Sequence, residues 1–105
     1  MQRMLATVNT IGAFTRGETS QAVAEQAATE LVTWSGRMGE LFPPNEAAQY
    51  VDLTPEMARS APATMLRTSE RLLQVVRTGD RQAAGQQLAA TERDGCGSCH
   101  RRPYR

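Results

Sequence analysis

Cys96-Gly97-Ser98-Cys99-His100 closes a run, residues 81 to about 102, whose spacing reads as a single helix, and the two readings together decide the fold. Asp80 is placed to cap that helix, Ala84 and Leu88 lead along one face towards Cys96, Cys99 and His100, and Pro103 ends it. Residues three and four apart share a helix face, so both thiols and the imidazole point to one side. Cys-x-x-Cys-His is the attachment signature of a c-type haem. Each thiol adds its S–H across a vinyl group of protohaem to give a thioether. The histidine then binds iron through one imidazole nitrogen, while the other needs a hydrogen-bond partner to hold the ring. Gly95 and Gly97 are expected to weaken the helix locally and to leave space beside the porphyrin.

Other readings of the pentapeptide fare worse. A zinc site takes four ligands, and the chain has two cysteines and one histidine. A thioredoxin-like pair belongs beside a strand in a β-α-β setting, whereas the lead-in here is helical. A plain disulfide between Cys96 and Cys99 leaves His100 without a reason. That disulfide is the basis of the one reading from a different class, a haem-free helical interaction module.

Working back from the last helix, the chain reads as helices throughout. Met1, Met4, Leu5, Val8, Ile11 and Phe14 fall at spacings of three and four, one face of a helix ending near Thr15. Gly17 suits a left-handed stop and Ser20 caps the next helix, expected from Gln21 to about Phe42 with Ala24, Ala27 or Ala28, Leu31, Trp34, Met38, Leu41 and Phe42 inward. Residues 43–59 form the longest irregular stretch, with short turns at 46–50 and, behind Thr54 and Pro55, at 55–59. Ser60-Ala61-Pro62 reads as the start of a third helix carrying Met65, Leu66, Ser69, Leu72, Leu73 and Val76 inward, and Thr78-Gly79 stops it. Four amphipathic segments with mostly short links imply one all-α domain over residues 1–105, an antiparallel four-helix bundle with haem covalently attached to its C-terminal helix.

Composition narrows the function. A net charge of +1 with no basic stripe argues against nucleic acid, and no apolar run approaches the length of a membrane span. All 12 basic residues are arginine. No nucleophile–base pair or second titratable cluster accompanies the cysteines, so no enzyme activity is expected. Residues 1–14 lack the apolar run and cleavage site of a signal peptide. Haem attachment of this kind takes place outside the bacterial cytoplasm, so a periplasmic location is expected, with the first helix clipped and the true start upstream.

Ile11-Gly12-Ala13-Phe14-Thr15-Arg16-Gly17-Glu18, Leu41-Phe42-Pro43, Ser60-Ala61-Pro62, Thr78-Gly79-Asp80 and the terminal Cys96–His100 motif occur in an order that resembles the class II c-type cytochromes, the cytochrome c-prime and cytochrome c-556 family. The resemblance covers nearly the whole chain and implies haem c bound through Cys96 and Cys99, with His100 as proximal iron ligand. It also implies a distal residue sixteen positions before Gly17, which is Met1. Methionine there marks the six-coordinate, low-spin, electron-transferring branch. Met4, one turn along the same face, is the rival ligand. The alternative branch has five-coordinate iron and binds nitric oxide or carbon monoxide in an apolar distal pocket. Arg3 is the available candidate for a propionate contact, although its position departs from the family's, and Pro103-Tyr104-Arg105 departs from the family's proximal pattern. The resemblance further implies redox partner proteins and a homodimer built on the first two helices.

Overall fold

A computed structural model describes residues 2–41 and 55–96. Met1, Phe42, Cys99, His100 and Gly97 lie outside the described residues. The elements are α1 (Gln2–Thr15), α2 (Gln21–Gly36), α3 (Met38–Leu41), α4 (Pro55–Arg77) and α5 (Arg81–Ala90), with a π-helical turn at Thr91–Gly95 running on from α5. No strand occurs among the described residues.

Local chemistry sets the breaks. Beyond α1, Gly17 takes a φ of 76°, its N–H reaches the Phe14 carbonyl at 3.0 Å and the Glu18 N–H reaches the Ala13 carbonyl at 2.8 Å. These are the two bonds of a Schellman stop, which consumes carbonyls that the helix end would otherwise orphan. Beyond α4, Gly79 does the same work at a φ of 79°, and its N–H meets the Val76 carbonyl at 3.0 Å. Ser20 Oγ accepts from the Val23 N–H, and Asp80 Oδ1 from the Ala83 N–H at 3.0 Å, so both expected N-caps are in place.

Two expected helix boundaries need correction. The second helix does not run unbroken to Phe42. It stops at Gly36, where the Arg37 N–H turns to the Trp34 carbonyl, three residues back rather than four. Gly36 and Gly39 contribute the weak helix propensity that lets the turn tighten. The third helix begins at Pro55, not at Ser60-Ala61-Pro62, and Pro62 sits inside it. Pro62 lacks an N–H for the carbonyl four residues back, yet Ala61 is 2 % exposed and Met65 1 %, so burial on both sides of the proline carries the helix through.

The helices close a four-membered ring in which α1 packs on α2, α2 on α4, α4 on α5 and α5 on α1. All neighbours are antiparallel: Glu25 meets Arg77 while Ser35 meets Ser69 across α2 and α4, and Gly85 meets Thr15 while Gly12 meets Leu88 across α1 and α5. Ile11, Phe14, Leu31, Met65, Leu72 and Val76 fill the middle, each worth roughly 1.5–3 kcal/mol of burial. Ala24, Ala28 and Ala84 let the backbones approach between them. On α1 the inward place expected for Leu5 goes instead to Thr7, which is 4 % exposed against 61 % for Leu5. The stripe is therefore Met4, Thr7, Ile11 and Phe14, at spacings of three and four.

Candidate functional site

The bundle has a turn end, where the Gly17 and Gly79 stops lie, and a thiol end. At the thiol end α5 passes into the π-turn and presents Cys96, with Met38 and the start of α1 at the matching ends of their helices. Cys96 is partly buried and packs against the apolar cluster that includes Met4, Met38 and Met65. Its N–H is shared between the Thr91 carbonyl, five residues back, and the Glu92 carbonyl, four back. The stripe that leads to it is buried at Ala84, Leu88, Thr91 and Gly95.

Around this turn the interior becomes polar. Thr91 is fully buried, and its Oγ1 donates to the Thr68 carbonyl of α4 at 3.3 Å while accepting from Gln87 Nε2 at 3.4 Å. Ser35 and Ser69, also buried, pair their hydroxyls at 3.1 Å between α2 and α4. Thr7 Oγ1 donates to the Met4 carbonyl at 2.6 Å. No buried side-chain nitrogen or oxygen among the described residues lacks a partner. Of these hydroxyls the sequence reading placed only Ser69 inward. The spacing of Ala84, Leu88, Thr91 and Gly95 carried the signal for Thr91, but a threonine does not stand out in a hydrophobic pattern.

Gly95 has a different role from the one expected. A Cβ there would stand 2.6 Å from Met65 Sδ and 2.9 Å from Thr68 Oγ1. The space left by the missing side chain is therefore taken up by α4, and the glycine is what lets the two backbones close.

Arg3, the candidate for a propionate contact, reaches from α1 to residues of α2. Its guanidinium is 3.8 Å from Glu30 Oε1 and 5.9 Å from the centre of the Trp34 ring, which Arg37 approaches at 5.7 Å. The Trp34 indole N–H donates to Glu30 Oε1 at 3.3 Å. In the π-turn itself, Arg93 donates to Asp94 at 3.0 Å, and this bond, aided by the cation's charge, holds the Asp94 carboxyl below its ordinary pKa.

The residues present fit a tethered porphyrin. One thiol of the attachment motif stands at the end of an apolar interior, next to thioether and aliphatic groups that suit a flat apolar macrocycle, and the second thiol and the imidazole follow it in sequence at positions 99 and 100. No curated protein and no solved structure matches the chain. A family model described as Cytochrome C' matches residues 1–105, the whole chain.

Proposed function

The chain belongs to the cytochrome C' family, whose members carry a covalently attached haem c for electron transfer or gas binding, and we propose that this one is an electron carrier with six-coordinate, low-spin iron. Cys96 and Cys99 serve as the two thioether tethers and His100 as the proximal ligand. Met1 is the distal ligand, with Met4 as its rival. The group so held supplies a one-electron ferric–ferrous couple.

What the chain itself does follows from its side chains. A thioether ligand donates softly and favours the ferrous state, which raises the potential. The interior that Cys96 packs against, with Leu31, Met65 and Leu72 fully or almost fully buried, excludes water and lowers the local dielectric, so a change of charge at the iron is felt strongly. Held by His100 and Met1 in both oxidation states, the group would ask little rearrangement of the chain's own ligands. What supports the reading is the resemblance, which puts the distal residue sixteen positions before the glycine at the first turn: that glycine is Gly17, with a φ of 76° just beyond α1, and the count lands on Met1. Met4 has a place in the core already, at 7 % exposure. The protein is further read as a non-enzymatic carrier working in the periplasm, meeting redox partner proteins and pairing as a homodimer through α1 and α2. No helix among the described residues is long and apolar enough to cross a membrane.

The test is the optical spectrum of the ferric protein, exported behind a cleavable leader so that residue 1 can be varied, compared with Met1→Leu and Met4→Leu. A low-spin spectrum with a weak near-infrared iron–sulfur charge-transfer band, lost in Met1→Leu alone, is the expected result. Loss of the band in Met4→Leu instead transfers the role to Met4. A high-spin spectrum indifferent to both substitutions, with carbon monoxide binding, moves the protein to the gas-binding branch.

A further inference from the structure

We propose that the π-turn Thr91–Gly95 is a phase-setting element for the tether, and that Thr91 and Gly95 are positioning residues that hold it in place. The inference rests on Cys96 being a haem thioether.

An α-helix turns about 100° per residue, so in an unbroken helix Cys96, eight residues beyond Leu88, would lie about 80° round from it. A turn closed by i→i+5 bonds holds one residue more. Cys96 is thereby brought back to roughly the angle of a residue seven beyond Leu88, about 20° from the buried stripe. Its observed surroundings agree, since it is partly buried and in contact with the apolar cluster.

The wide turn is fastened from both sides of its length. At its first residue, the buried Thr91 hydroxyl is bonded to the Thr68 carbonyl of α4. At its last, Gly95 sits where any side chain would collide with Met65 and Thr68. Both fasteners meet α4 within one helical turn, residues 65–68, so α4 is the template against which the extra residue is held. Between the fasteners Arg93 and Asp94 are exposed, and among the described residues their side chains bond each other. Arg93 is thus removable without touching the core.

The experiment uses the full chain matured in cells that attach haem. Thr91→Val removes the hydroxyl at nearly constant volume, Thr91→Ser keeps it, and deletion of Arg93 withdraws the extra residue. The readouts are haem tethering by intact mass, circular dichroism in the Soret band, which reports how the porphyrin sits in its asymmetric surroundings, and the midpoint potential. Thr91→Val is expected to keep its haem but to change the shape or sign of the Soret dichroism and to shift the potential, with Thr91→Ser restoring both. Deletion of Arg93 is expected to lower the doubly tethered fraction several-fold. A helical, haem-loaded Thr91→Val protein with wild-type dichroism and potential overturns the proposal, and it does so whether or not the deletion variant folds. Failure of the underlying haem reading has a different signature, in which the wild-type chain itself gains no haem mass.

Discussion

The two ends of the bundle are secured by different means. At the turn end the helices are stapled by polar contacts over the apolar interior: Arg81 Nε donates to the Phe14 carbonyl at 2.9 Å with its guanidinium 4.8 Å from the Phe14 ring, Gln21 Nε2 donates to the Arg77 carbonyl at 2.9 Å, and Arg77 pairs with Glu25 at 3.0 Å. Each staple spans two helices and consumes a carbonyl or charge at a helix terminus. At the thiol end the contacts are internal: a buried hydroxyl pair, a threonine bonded to a neighbouring backbone, and a glycine pressed against a methionine. The turn end holds itself from outside with groups that water also reaches, whereas the thiol end is held by buried hydroxyls and a close backbone approach at Gly95.

That contrast can be broken most severely at Phe14. Phe14→Ala removes a fully buried ring together with the seat of Arg81, and is expected to cost about 3–5 kcal/mol. For a domain of this size that lowers Tm by on the order of 15 °C. Under native conditions the Soret dichroism of the haem-loaded variant should be unchanged; a changed band would show that the two ends are mechanically coupled.

A pair of identical substitutions sharpens the comparison. Gly95→Ala drives a methyl group into Met65 and Thr68, and overpacking of this kind costs about 1–3 kcal/mol. Gly17→Ala meets nothing within 4 Å but must hold a φ of 76°, at about 1–2 kcal/mol. Thermal melts should show both losses, and only Gly95→Ala should alter the haem spectrum. Equal spectral effects would remove the distinction between the ends.

The smallest effect is expected in the π-turn's exposed pair. Arg93 lowers the Asp94 pKa from its ordinary 3.8, so the folded state binds this proton less readily than the unfolded chain. The resulting stabilisation is present above the unfolded value and is lost as pH falls through the folded one. Both side chains are largely exposed, so Asp94→Asn should leave Tm within error, while an NMR titration of the Asp94 carboxyl finds its midpoint below 3.8. A measurable drop in Tm would mean that the pair braces the turn.

The features written locally in the sequence were the readable ones. Gly17 and Gly79 are stops because only glycine takes their φ cheaply, and Ser20 and Asp80 are caps because their short oxygens reach the third helical N–H; such signals need no knowledge of neighbours. Pro62 misled because its local rule is to start or stop a helix, and burial of Ala61 and Met65 overrode it. The π-turn left no local sign, since an extra residue in a turn depends on what α4 offers to Thr91 and Gly95. Of the site, the attachment motif was legible as chemistry. Of the polar lining behind Cys96 only Ser69 was, through its place in the spacing of the third helix, since buried serine and threonine otherwise look like surface residues until their partners are seen.

The Ser35–Ser69 hydroxyl pair also bears on which arrangements of the helices are permitted. Alanine-lined helices such as α2 are smooth and offer little resistance to sliding lengthwise past a neighbour. Displacing α2 along α4 by one turn, about 5.4 Å, separates the two oxygens and buries each without an acceptor, at about 1–3 kcal/mol apiece. The pair contributes modestly to the native fold and heavily to the penalty on its nearest competitors. It works as a register mark for α2 against α4.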